Sequence, residues 1–393
     1  MPQGHIAILG AGPIGLEAAL AAADRGLSFT VFEAAPSVGG HVLAWGHVRT
    51  FTPWSMNVSP RMRSMLPGAP DGPGLPSGAE LARQLLAPAA ALAPVRDRIR
   101  CCTRVLAVGR EGLLKHEEIA SEERRRRRFR LLVQRPDGQE AIEHADVVID
   151  ATGTYANPNR LGDGGIDAIG ERALEARIHR HLPDVLGDPA SWAGQTILLT
   201  GAGHSAQTAA RALACFARDA PGTRVVWAVR SPTPTWGAVS DDPLPERAAL
   251  NAVAHELAAG ASEAVEVRTG RVTEALAARD GRIAVTLRNG DLEDVLVDRV
   301  LALNGSVGDA SIYRQLQIHE CYASLGPMKL AGALLAASGA GGDCLTQESA
   351  GPQSLVNPEP GFFILGAKSY GRNSQFLLRI GWQQVDDVFE ALM

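Results

Sequence analysis

The feature that most constrains this chain is an apolar segment followed by a glycine-rich turn and a helical segment, a pattern that occurs twice. Residues 5–9 run into residues 10–15 (GAGPIG), and residues 196–200 run into residues 201–206 (GAGHSA). In each copy the first glycine permits a tight turn and the second lets the backbone approach a pyrophosphate. A small third residue lets the helix pack on the strand. Each copy therefore predicts a strand, a turn and a helix that holds phosphates at its N-terminus.

The first copy continues into a second apolar strand, residues 29–32, which ends at Glu33. Glu33 lies 23 residues after Gly10, about where an acidic residue of a dinucleotide-binding domain holds a ribose hydroxyl. A glycine motif alone is often only a tight turn, but the spacing of this acid favours a ligand. The N-terminal part of the chain therefore predicts a bound dinucleotide.

The second copy differs from the first at two positions. Ala206 replaces the third glycine, and the next strand, residues 225–229, ends at Arg230 instead of an acid. A cation at this position suits the 2′-phosphate of NADPH and favours NADPH over NADH. The alternative, an ordinary solvated charge at a strand end, stays open because the preference rests on one residue. Two dinucleotide sites in one chain predict hydride transfer between two bound cofactors.

Several segments resemble flavoproteins that have two dinucleotide-binding domains. Residues 39–40 (GG) follow Glu33 as in the FAD-binding domain of that group. Residues 151–153 (ATG) and 304–305 (NG) each follow an apolar strand, as in the segments that connect the two domains. In that group a final strand, turn and helix, here within residues 362–392, closes over the isoalloxazine ring. The resemblance therefore implies that the first site binds FAD and the second binds NADPH.

This resemblance also implies the fold. We expect an α/β protein with two Rossmann-like dinucleotide-binding domains, the NADPH domain being inserted in the FAD domain. The expected boundaries are 1–156 for the first part of the FAD domain, 157–305 for the NADPH domain and 306–393 for the return segment of the FAD domain.

Two further resemblances concern the reaction. Residues 192–206 resemble the segment that opens the NADPH domain in flavin-containing monooxygenases, and residues 178–181 (IHRH) are similar to, but depart from, a histidine-containing signature of that family. A closer resemblance, over most of the chain, is to the flavin monooxygenase-like proteins of bacterial arsenic-resistance operons, and residues 45–54 and 366–374 carry it. It implies a monooxygenase that uses a C4a-hydroperoxyflavin to oxygenate a small soft nucleophile, with a trivalent organoarsenical as one candidate.

The cysteines separate this function from its alternatives. Cys101 and Cys102 are adjacent, no Cys-x-x-Cys pair is present, and Cys215, Cys321 and Cys344 stand alone. The redox disulfide of thioredoxin-reductase relatives is therefore missing. The alternative function is an NADPH oxidase or reductase that passes electrons from FAD to oxygen or another acceptor. A nucleotide-sensing regulator is less favoured, because a binding scaffold has little use for two intact fingerprints.

The fingerprints and the resemblances together indicate which residues form the site. The expected cofactor-binding residues are Gly10, Gly12, Pro13, Ile14, Gly15, Glu33, Gly40, Trp45, Arg49, Trp54, Val105, Ala151, Thr152, Gly153, Gly201, Gly203, His204, Ser205, Ala206, Arg230, Asn304, Gly305, Gly366 and Gln375. The expected catalytic residues are Asn57, Lys368, Tyr370, Arg372 and Asn373. Cys321 and Cys344 are candidates for substrate binding, because trivalent arsenic favours thiolate ligands.

Each of these assignments has a structural alternative. Asn57 is equally suited to a turn, residues 368–373 to a polar loop with structural hydrogen bonds, and the cysteines to buried packing positions. His204 is nearly as well explained as a surface histidine without a role.

Composition limits the partners. The formal net charge of −5 gives no overall positive field to attract nucleic acid or anionic lipid. Five scattered cysteines form neither a disulfide framework nor a metal-ligand set, and the N-terminal segment lacks the pattern of a signal peptide. We expect a cytoplasmic enzyme whose partners are a small-molecule substrate and oxygen, without nucleic acid, membrane or metal; a homo-oligomer is left open. The arginine run 124–128, between a predicted helix around Glu117 and a strand at 129–134, is interpreted as a solvated charged face.

Overall fold

A computed structural model of the chain describes residues 4–338 and 349–392. Its residues group into two units: unit 1 consists of Met1–Asn157 and Val307–Met393, and unit 2 of Pro158–Ser306. Unit 2 is therefore inserted into unit 1. Each boundary between the units lies one residue from the position that the sequence predicts.

The elements alternate between strands and helices in both units. The strands are β1 His5–Leu9, β2 Ser28–Phe32, β3 Ile99–Arg100, β4 Arg104–Arg110, β5 Phe129–Gln134, β6 Glu140–Ala145, β7 Val147–Asp150, β8 Ile178–His179, β9 Thr196–Thr200, β10 Arg224–Val229, β11 Val265–Thr269, β12 Val272–Arg279, β13 Arg282–Asn289, β14 Asp291–Val297, β15 Arg299–Ala302 and β16 Phe362–Ile364. The α-helices are α1 Pro13–Asp24, α2 Gly40–Ala44, α3 Trp54–Asn57, α4 Pro60–Met65, α5 Gly78–Leu81, α6 Ala87–Ala90, α7 Ala93–Arg96, α8 Glu122–Arg126, α9 His204–Asp219, α10 Pro245–Ala258, α11 Met328–Ser338, α12 Pro352–Leu355 and α13 Leu378–Ala391. Short 3₁₀ turns occur at Asp163–Gly165, Arg172–Arg177, Pro189–Ser191, Ala310–Tyr313 and Gly366–Tyr370, and a π turn at Ala82–Leu86.

Each unit combines a five-stranded parallel sheet with a three-stranded antiparallel sheet. In unit 1 the parallel sheet has the strand order β16-β7-β1-β2-β3, and the antiparallel sheet is β4-β5-β6. In unit 2 the corresponding orders are β11-β10-β9-β15-β8 and β12-β13-β14. Helix α1 connects β1 to β2, and α9 connects β9 to β10. Both units therefore have the Rossmann-like arrangement that the sequence predicts.

The apolar sequence of the central strands explains their burial. Residues 6–9 of β1 and 197–200 of β9 are buried, as expected for parallel strands that are covered on both faces. The small side chains of α1, mostly alanine, let this helix pack closely against β1, and α1 also contacts α13. The predicted strands at 5–9, 147–150 and 196–200 are confirmed residue for residue.

The prediction for the arginine run is wrong in two respects. The helix expected around Glu117 forms instead at α8, which contains three of the arginines. The Arg124 side chain is fully buried, and its guanidinium donates to both carboxylate oxygens of Glu359, which also accepts from Arg110 at 2.6 Å. A buried carboxylate between two guanidiniums satisfies charges that would otherwise be costly to bury. The remaining arginines of the run are exposed.

The part of the chain that the structure describes contains no helix long and apolar enough to cross a membrane. Within the same residues, no group of three or more histidine, cysteine or acidic side chains is arranged to hold a metal ion.

Candidate functional site

Three turns lie at the carboxyl edge of the parallel sheet of unit 1. Residues 10–15 follow β1, residues 151–153 follow β7 and residues 366–370 follow β16, and these three strands are adjacent. A Cβ added at Gly10 would lie 2.9 Å from the carbonyl oxygen of Ala151, so the first two turns are in contact. Ligands of open parallel sheets bind in the crevice outside this edge.

The third turn approaches helix α1. Gly366 has a φ of +73°, which favours glycine, and a Cβ there would lie 3.2 Å from Cγ1 of Ile14. The Gly366 amide donates to Oε1 of Gln384 at 2.9 Å, which fixes the turn to α13. The fold therefore brings together Gly10, Ile14 and Gly366, which the sequence expects at one cofactor.

Two glycines of the first turn, Gly12 and Gly15, are required for different physical reasons. A Cβ at Gly15 would lie 1.9 Å from the carbonyl oxygen of Gly10, so packing within the protein requires glycine there. Gly12 has an ordinary φ of −77°, and a Cβ there would meet no atom within 4 Å. Nothing in the described protein requires glycine at position 12. Close approach of a ligand to the backbone does require it.

Helix α1 begins at Pro13 without a side-chain cap. The first backbone N–H groups of a helix have no partner within the helix, and the helix dipole places partial positive charge there. An uncapped N-terminus beside an open glycine is thus suited to the phosphates of a dinucleotide.

The Glu33 carboxylate holds the first turn in place. Its Oε2 accepts from the amide of Ala11 at 2.7 Å, and its Oε1 accepts from the amide of Ala35 at 2.8 Å. An ionised carboxylate has about four acceptor positions, so two remain for a ribose hydroxyl. The Gly39 amide donates to the carbonyl of Ala11, and a Cβ at Gly40 would lie 2.3 Å from Cβ of Ala35. The glycine pair therefore packs the following segment against the same turn.

Unit 2 repeats this edge with a different third residue. Gly201 has a φ of +106°, and a Cβ there would lie 2.3 Å from the carbonyl oxygen of Leu303. Gly203 has a φ of −74° and open space at its Cβ position, as Gly12 has in unit 1. Ala206 is buried, so this helix accommodates a methyl group at the third position. Helix α9 begins at His204, again without a side-chain cap.

The residues around this second turn are held by the protein in different ways. The Asn304 side chain accepts from Oγ1 of Thr200 at 3.0 Å and donates to the carbonyl of Arg160 at 3.2 Å. Gly305, next to Asn304, is exposed and has a φ of +78°. Ser205, in the first turn of α9, is also exposed. Burial, and secondarily Arg247, lowers the pKa of His204. His204 is therefore neutral near pH 7.

The register of the strands corrects the position assigned to Arg230. Leu9 pairs with Phe32, and Glu33 follows; in unit 2, Thr200 pairs with Ala228, and Val229 follows. The counterpart of Glu33 is therefore the buried Val229, and Arg230 lies one residue beyond it. Arg230 is exposed, just after the end of β10. In unit 2 the acid is therefore replaced by Val229, and the cation is supplied by the next residue, Arg230.

Three of the expected catalytic residues are buried, and two of them, Lys368 and Tyr370, lie in the turn after β16. The ammonium of Lys368 donates to Oδ2 of Asp150 at 2.6 Å, to Oγ1 of Thr152 at 3.1 Å and to the carbonyl of Asp309 at 2.7 Å. These bonds use all three of its protons, so a catalytic role does not fit Lys368, and the structural alternative does. Burial raises the pKa of Tyr370 to about 12, so its hydroxyl stays protonated at neutral pH.

Of the other expected catalytic residues, Asn57 ends the short helix α3, and Arg372 and Asn373 lie in the loop before α13. The amide nitrogen of Asn57 donates to the carbonyls of Thr52 and Pro53 at 2.8 and 2.9 Å, so the turn alternative fits this buried side chain. Arg372 is exposed, and its backbone amide donates to the carbonyl of Ser324 at 2.7 Å.

Asn373 and Gln375 lie in the same loop as Arg372. Oδ1 of Asn373 accepts from the amide of Gln375 at 2.9 Å. This bond shapes the segment that leads into α13.

Four more of the expected cofactor residues support the scaffold. The Trp45 ring lies where a Cβ at Gly78 would be 2.6 Å from it, Arg49 donates to the carbonyl of Leu75 at 2.8 Å, and the Trp54 amide donates to a carbonyl of the same segment. These three residues contact the proline- and glycine-rich segment 67–78. The side chain of Val105 is buried in the core beside the antiparallel sheet, which does not fit a direct side-chain contact with a cofactor.

The described cysteines are free thiols. Cys321 lies in a loop where hydrogen bonds from the Ser324 hydroxyl, and then from the Ser324 and Ala323 amides, lower the pKa of its thiol. Burial, with Glu33 and Cys102 nearby, raises the pKa of Cys101. Cys344 lies outside the described residues.

Sequence reasoning missed Asp150 and Asp309. Asp150 ends the apolar strand β7 and precedes an expected cofactor turn, which was the only local signal. Its partner Lys368 is 218 positions away, so no local pattern joins them.

Comparisons with known proteins agree with this geometry. A family model described as an NAD(P)-binding Rossmann-like domain matches residues 8–63, which contain the first glycine turn and Glu33. No curated protein matches the sequence of this chain.

Solved structures are similar over almost the whole chain. The bacillithiol disulfide reductase Bdr from Bacillus cereus has 18% identity and a TM-score of 0.70, covering 99% of this chain and 98% of that one. The ornithine N-hydroxylase from Kutzneria sp. 744, with FADred, NADP+ and L-orn, has 14% identity and a TM-score of 0.65, covering 100% and 99%. A flavin-containing monooxygenase from Stenotrophomonas maltophilia has 18% identity and a TM-score of 0.58, covering 99% and 98%. At these identities the likeness shows a shared fold: two Rossmann-like domains, one inserted in the other.

Proposed function

We propose that this chain is an FAD-dependent oxidoreductase that consumes NADPH, with FAD bound by unit 1 and NADPH by unit 2. The observation that carries the proposal is the pair Gly12 and Gly203. Both have ordinary φ angles and open space at Cβ, and both precede an uncapped helix. Two glycines that the protein does not need, at matched positions, fit two pyrophosphates.

The surrounding residues fit these cofactors. Glu33 holds the first turn and retains acceptor positions for a ribose hydroxyl, whereas Arg230 provides a cation for a 2′-phosphate. When bound, FAD would accept hydride from NADPH, and its reduced form would react with oxygen. The protein binds and orients both dinucleotides through the turns at the carboxyl edges of its sheets.

The finer proposal is a monooxygenase that acts on a small soft nucleophile, of which a trivalent organoarsenical is one candidate. The resemblance of residues 45–54 and 366–374 to the proteins of arsenic-resistance operons supports it, and so does the fold shared with an N-hydroxylase. Cys101 and Cys102 follow β3, which lies three strands away from β7 in the sheet. At the usual strand spacing, β3 and β7 are roughly 14 Å apart. This distance from the turn at 151–153 does not favour a redox disulfide as the electron acceptor.

Cys321 and Cys344 remain candidates for binding the arsenical. The lowered pKa of Cys321 favours its thiolate, the form that binds soft metals and metalloids. Cys344 lies outside the described residues, so its proposed role rests on the sequence alone.

The second candidate function is an NADPH oxidase or reductase. The fold likeness to the bacillithiol disulfide reductase from Bacillus cereus favours it. That function would place electrons on oxygen or on another acceptor and would give no oxygenated product.

The deciding experiment supplies the FAD-loaded protein with NADPH, ¹⁸O₂ and either methylarsenite or a thioether. A monooxygenase gives one ¹⁸O in the product per NADPH consumed. Hydrogen peroxide in equal amount to NADPH identifies an oxidase, and anaerobic NADPH consumption with a low-molecular-weight disulfide identifies a reductase. A chain that binds no FAD would contradict all three.

A cysteine variant tests the substrate candidate within the same assay. Cys321→Ser is expected to raise the KM for methylarsenite but not for the thioether, because only arsenic needs the thiolate. Cys215→Ser is the matched control, since Cys215 is an exposed thiol on α9. Equal effects of both variants would remove Cys321 from the substrate site.

A further inference from the structure

A buried ion pair joins two of the turns at the carboxyl edge of unit 1. Nζ of Lys368 lies 2.6 Å from Oδ2 of Asp150, and their side chains are 1% and 0% exposed. Asp150 is the last residue of β7, and Lys368 lies in the middle of the 3₁₀ turn after β16. Burying two charges is costly unless both are paired and fully hydrogen-bonded.

Both members of the pair are satisfied within the protein. Lys368 also donates to Oγ1 of Thr152 and to the carbonyl of Asp309. Oδ1 of Asp150 accepts from the amide of Thr152 at 3.1 Å and from its hydroxyl at 2.7 Å. Thr152 is the middle residue of the turn at 151–153, so the pair fixes this turn to the turn at 366–370.

The surroundings are shaped for the lysine side chain. A Cβ at Gly308 would lie 2.4 Å from Cγ of Lys368, so only glycine leaves room for the aliphatic stem. The Tyr313 ring lies 4.9 Å from Nζ, and its hydroxyl donates to Oε1 of Glu320 at 2.5 Å. An aromatic face adds to the stabilisation of a buried cation.

Unit 2 shows that the architecture does not require this pair. Leu9 pairs with Asp150 in unit 1, and at the matching register Thr200 pairs with Ala302, which is buried. The following turn of unit 2 is held by the neutral bond between Thr200 and Asn304. The same strand end and turn therefore form without charge, and the charge in unit 1 needs another reason.

We propose that Lys368 and Asp150 are positioning residues that act as a charge-neutral pair: together they fix the two turns, and their balance sets the reduction potential of the flavin bound there. This inference rests on the proposed binding of FAD by unit 1. Reduction adds electrons to the flavin, so an unbalanced positive charge beneath the turns favours the reduced form and an unbalanced negative charge disfavours it.

The test measures the midpoint potential of bound flavin by equilibration with a reference dye, without NADPH or substrate. Asp150→Asn leaves the ammonium unbalanced and is expected to raise the ratio of reduced to oxidised flavin about tenfold at a fixed potential, or about 30 mV. Lys368→Met leaves the carboxylate unbalanced and is expected to lower the ratio by a similar factor. The double variant is neutral and is expected to return close to wild type.

A matched control separates charge near the turns from loss of any buried ion pair. Glu359→Gln breaks the buried contacts of Glu359 with Arg110 and Arg124. Glu359 precedes the first residue of β16, so these contacts lie at the opposite end of that strand from the turns. It is expected to destabilise the protein without moving the potential.

The outcomes are distinguishable. Shifts of the same sign in both single variants, or no shift while stability falls, would overturn the proposal and leave a purely structural pair. If a single variant does not fold or keep flavin, the neutral double variant decides: it must regain flavin and a potential close to wild type. A wild-type chain that binds no FAD would instead contradict the proposed function.

Discussion

The two units have the same architecture but differ at a few positions in their turns and at their strand ends. In each unit a parallel sheet of five strands carries a glycine turn after its central strand, and a three-stranded antiparallel sheet precedes the strand that supplies the neighbouring turn. The first and second glycines match, as Gly10 with Gly201 and Gly12 with Gly203. The differences include Gly15 against Ala206, Glu33 against Val229 and Asp150 against Ala302. Under the proposed function, the scaffold fixes where a dinucleotide binds, and a few side chains decide which one.

The comparison also separates two kinds of glycine. Gly15 is required by contact with the protein's own backbone, because a Cβ there would lie 1.9 Å from the carbonyl of Gly10. Gly12 and Gly203 have no such contact. A motif read only from sequence treats these residues alike, whereas the structure predicts opposite effects on stability and binding.

The largest effect is expected when the third fingerprint residue is exchanged between units. Gly15→Ala forces α1 away from the first turn and should lower the free energy of unfolding by about 3 kcal/mol, in the upper range for an overpacked core. Ala206→Gly, the matched change, should cost only about 1 kcal/mol through helix propensity. Chemical denaturation of both variants, with FAD content, measures the difference. Equal losses would show that the two turns are packed alike.

The second prediction concerns the glycines that face open space. Gly12→Ala should weaken FAD binding at least tenfold, and Gly203→Ala should do the same for NADPH, because a methyl group would occupy the approach of the pyrophosphate. Each variant should change the free energy of unfolding by no more than about 1 kcal/mol, since alanine is only a poorer N-cap.

Titration of each variant with both dinucleotides measures the selectivity, and each variant serves as the control for the other. Weakening of both dinucleotides by one substitution would mean that the sites do not act separately.

The features that could be predicted from the sequence are those whose residues lie close together along the chain. The fingerprints and Glu33 lie within short segments whose hydrophobic period and turn residues are local, and they are found where expected. The buried pair Lys368–Asp150 and the bonds from Arg124 to Glu359 join residues 218 and 235 positions apart. Periodicity and turn chemistry carry no information about such pairings, so Lys368 was predicted to act on the ligand and Arg124 to face solvent.

The counterpart of Glu33 in unit 2 could not be identified from the sequence for a related reason. The sequence shows a cation after β10, but the register that makes Val229 the counterpart of Glu33 depends on pairing between strands. A shift of one residue reverses the face to which a side chain points in a strand.

The third prediction uses the difference between the two ribose ends. Arg230→Gln should raise the KM for NADPH about tenfold, the usual scale for a lost hydrogen bond to a charged group, and leave the KM for NADH unchanged. Glu33→Gln should instead weaken FAD binding without changing the ratio of the two KM values. Steady-state kinetics with both nucleotides measures these effects. Equal changes for NADPH and NADH in Arg230→Gln would assign the 2′-phosphate to another cation.

The smallest effect concerns the response of the two units to acid. Burial, and then Arg299, lowers the pKa of His179 in unit 2 from its ordinary value of 6.5, with the Arg299 Nη1 at 3.3 Å from its Nε2. Burial also lowers the pKa of His5 in unit 1, but there Asp146 acts in the opposite direction. Such histidines bind a proton more readily after unfolding. The stability they contribute is thus complete above pH 6.5 and decreases as the pH falls below it.

His179→Gln should therefore reduce the loss of stability between pH 6.5 and 5, by at most about 1.4 kcal/mol per pH unit for one proton. His5→Gln should reduce it less, because the Asp146 carboxylate already offsets part of the shift. Urea denaturation of both variants across this range, followed by tryptophan fluorescence, measures the slopes. Trp192 lies beside position 179 in unit 2, since the ring centroids of His179 and Trp192 are 5.3 Å apart. A wild-type slope in His179→Gln would mean that acid acts on unit 2 through other groups, and the contrast between the units would then rest on their turns alone.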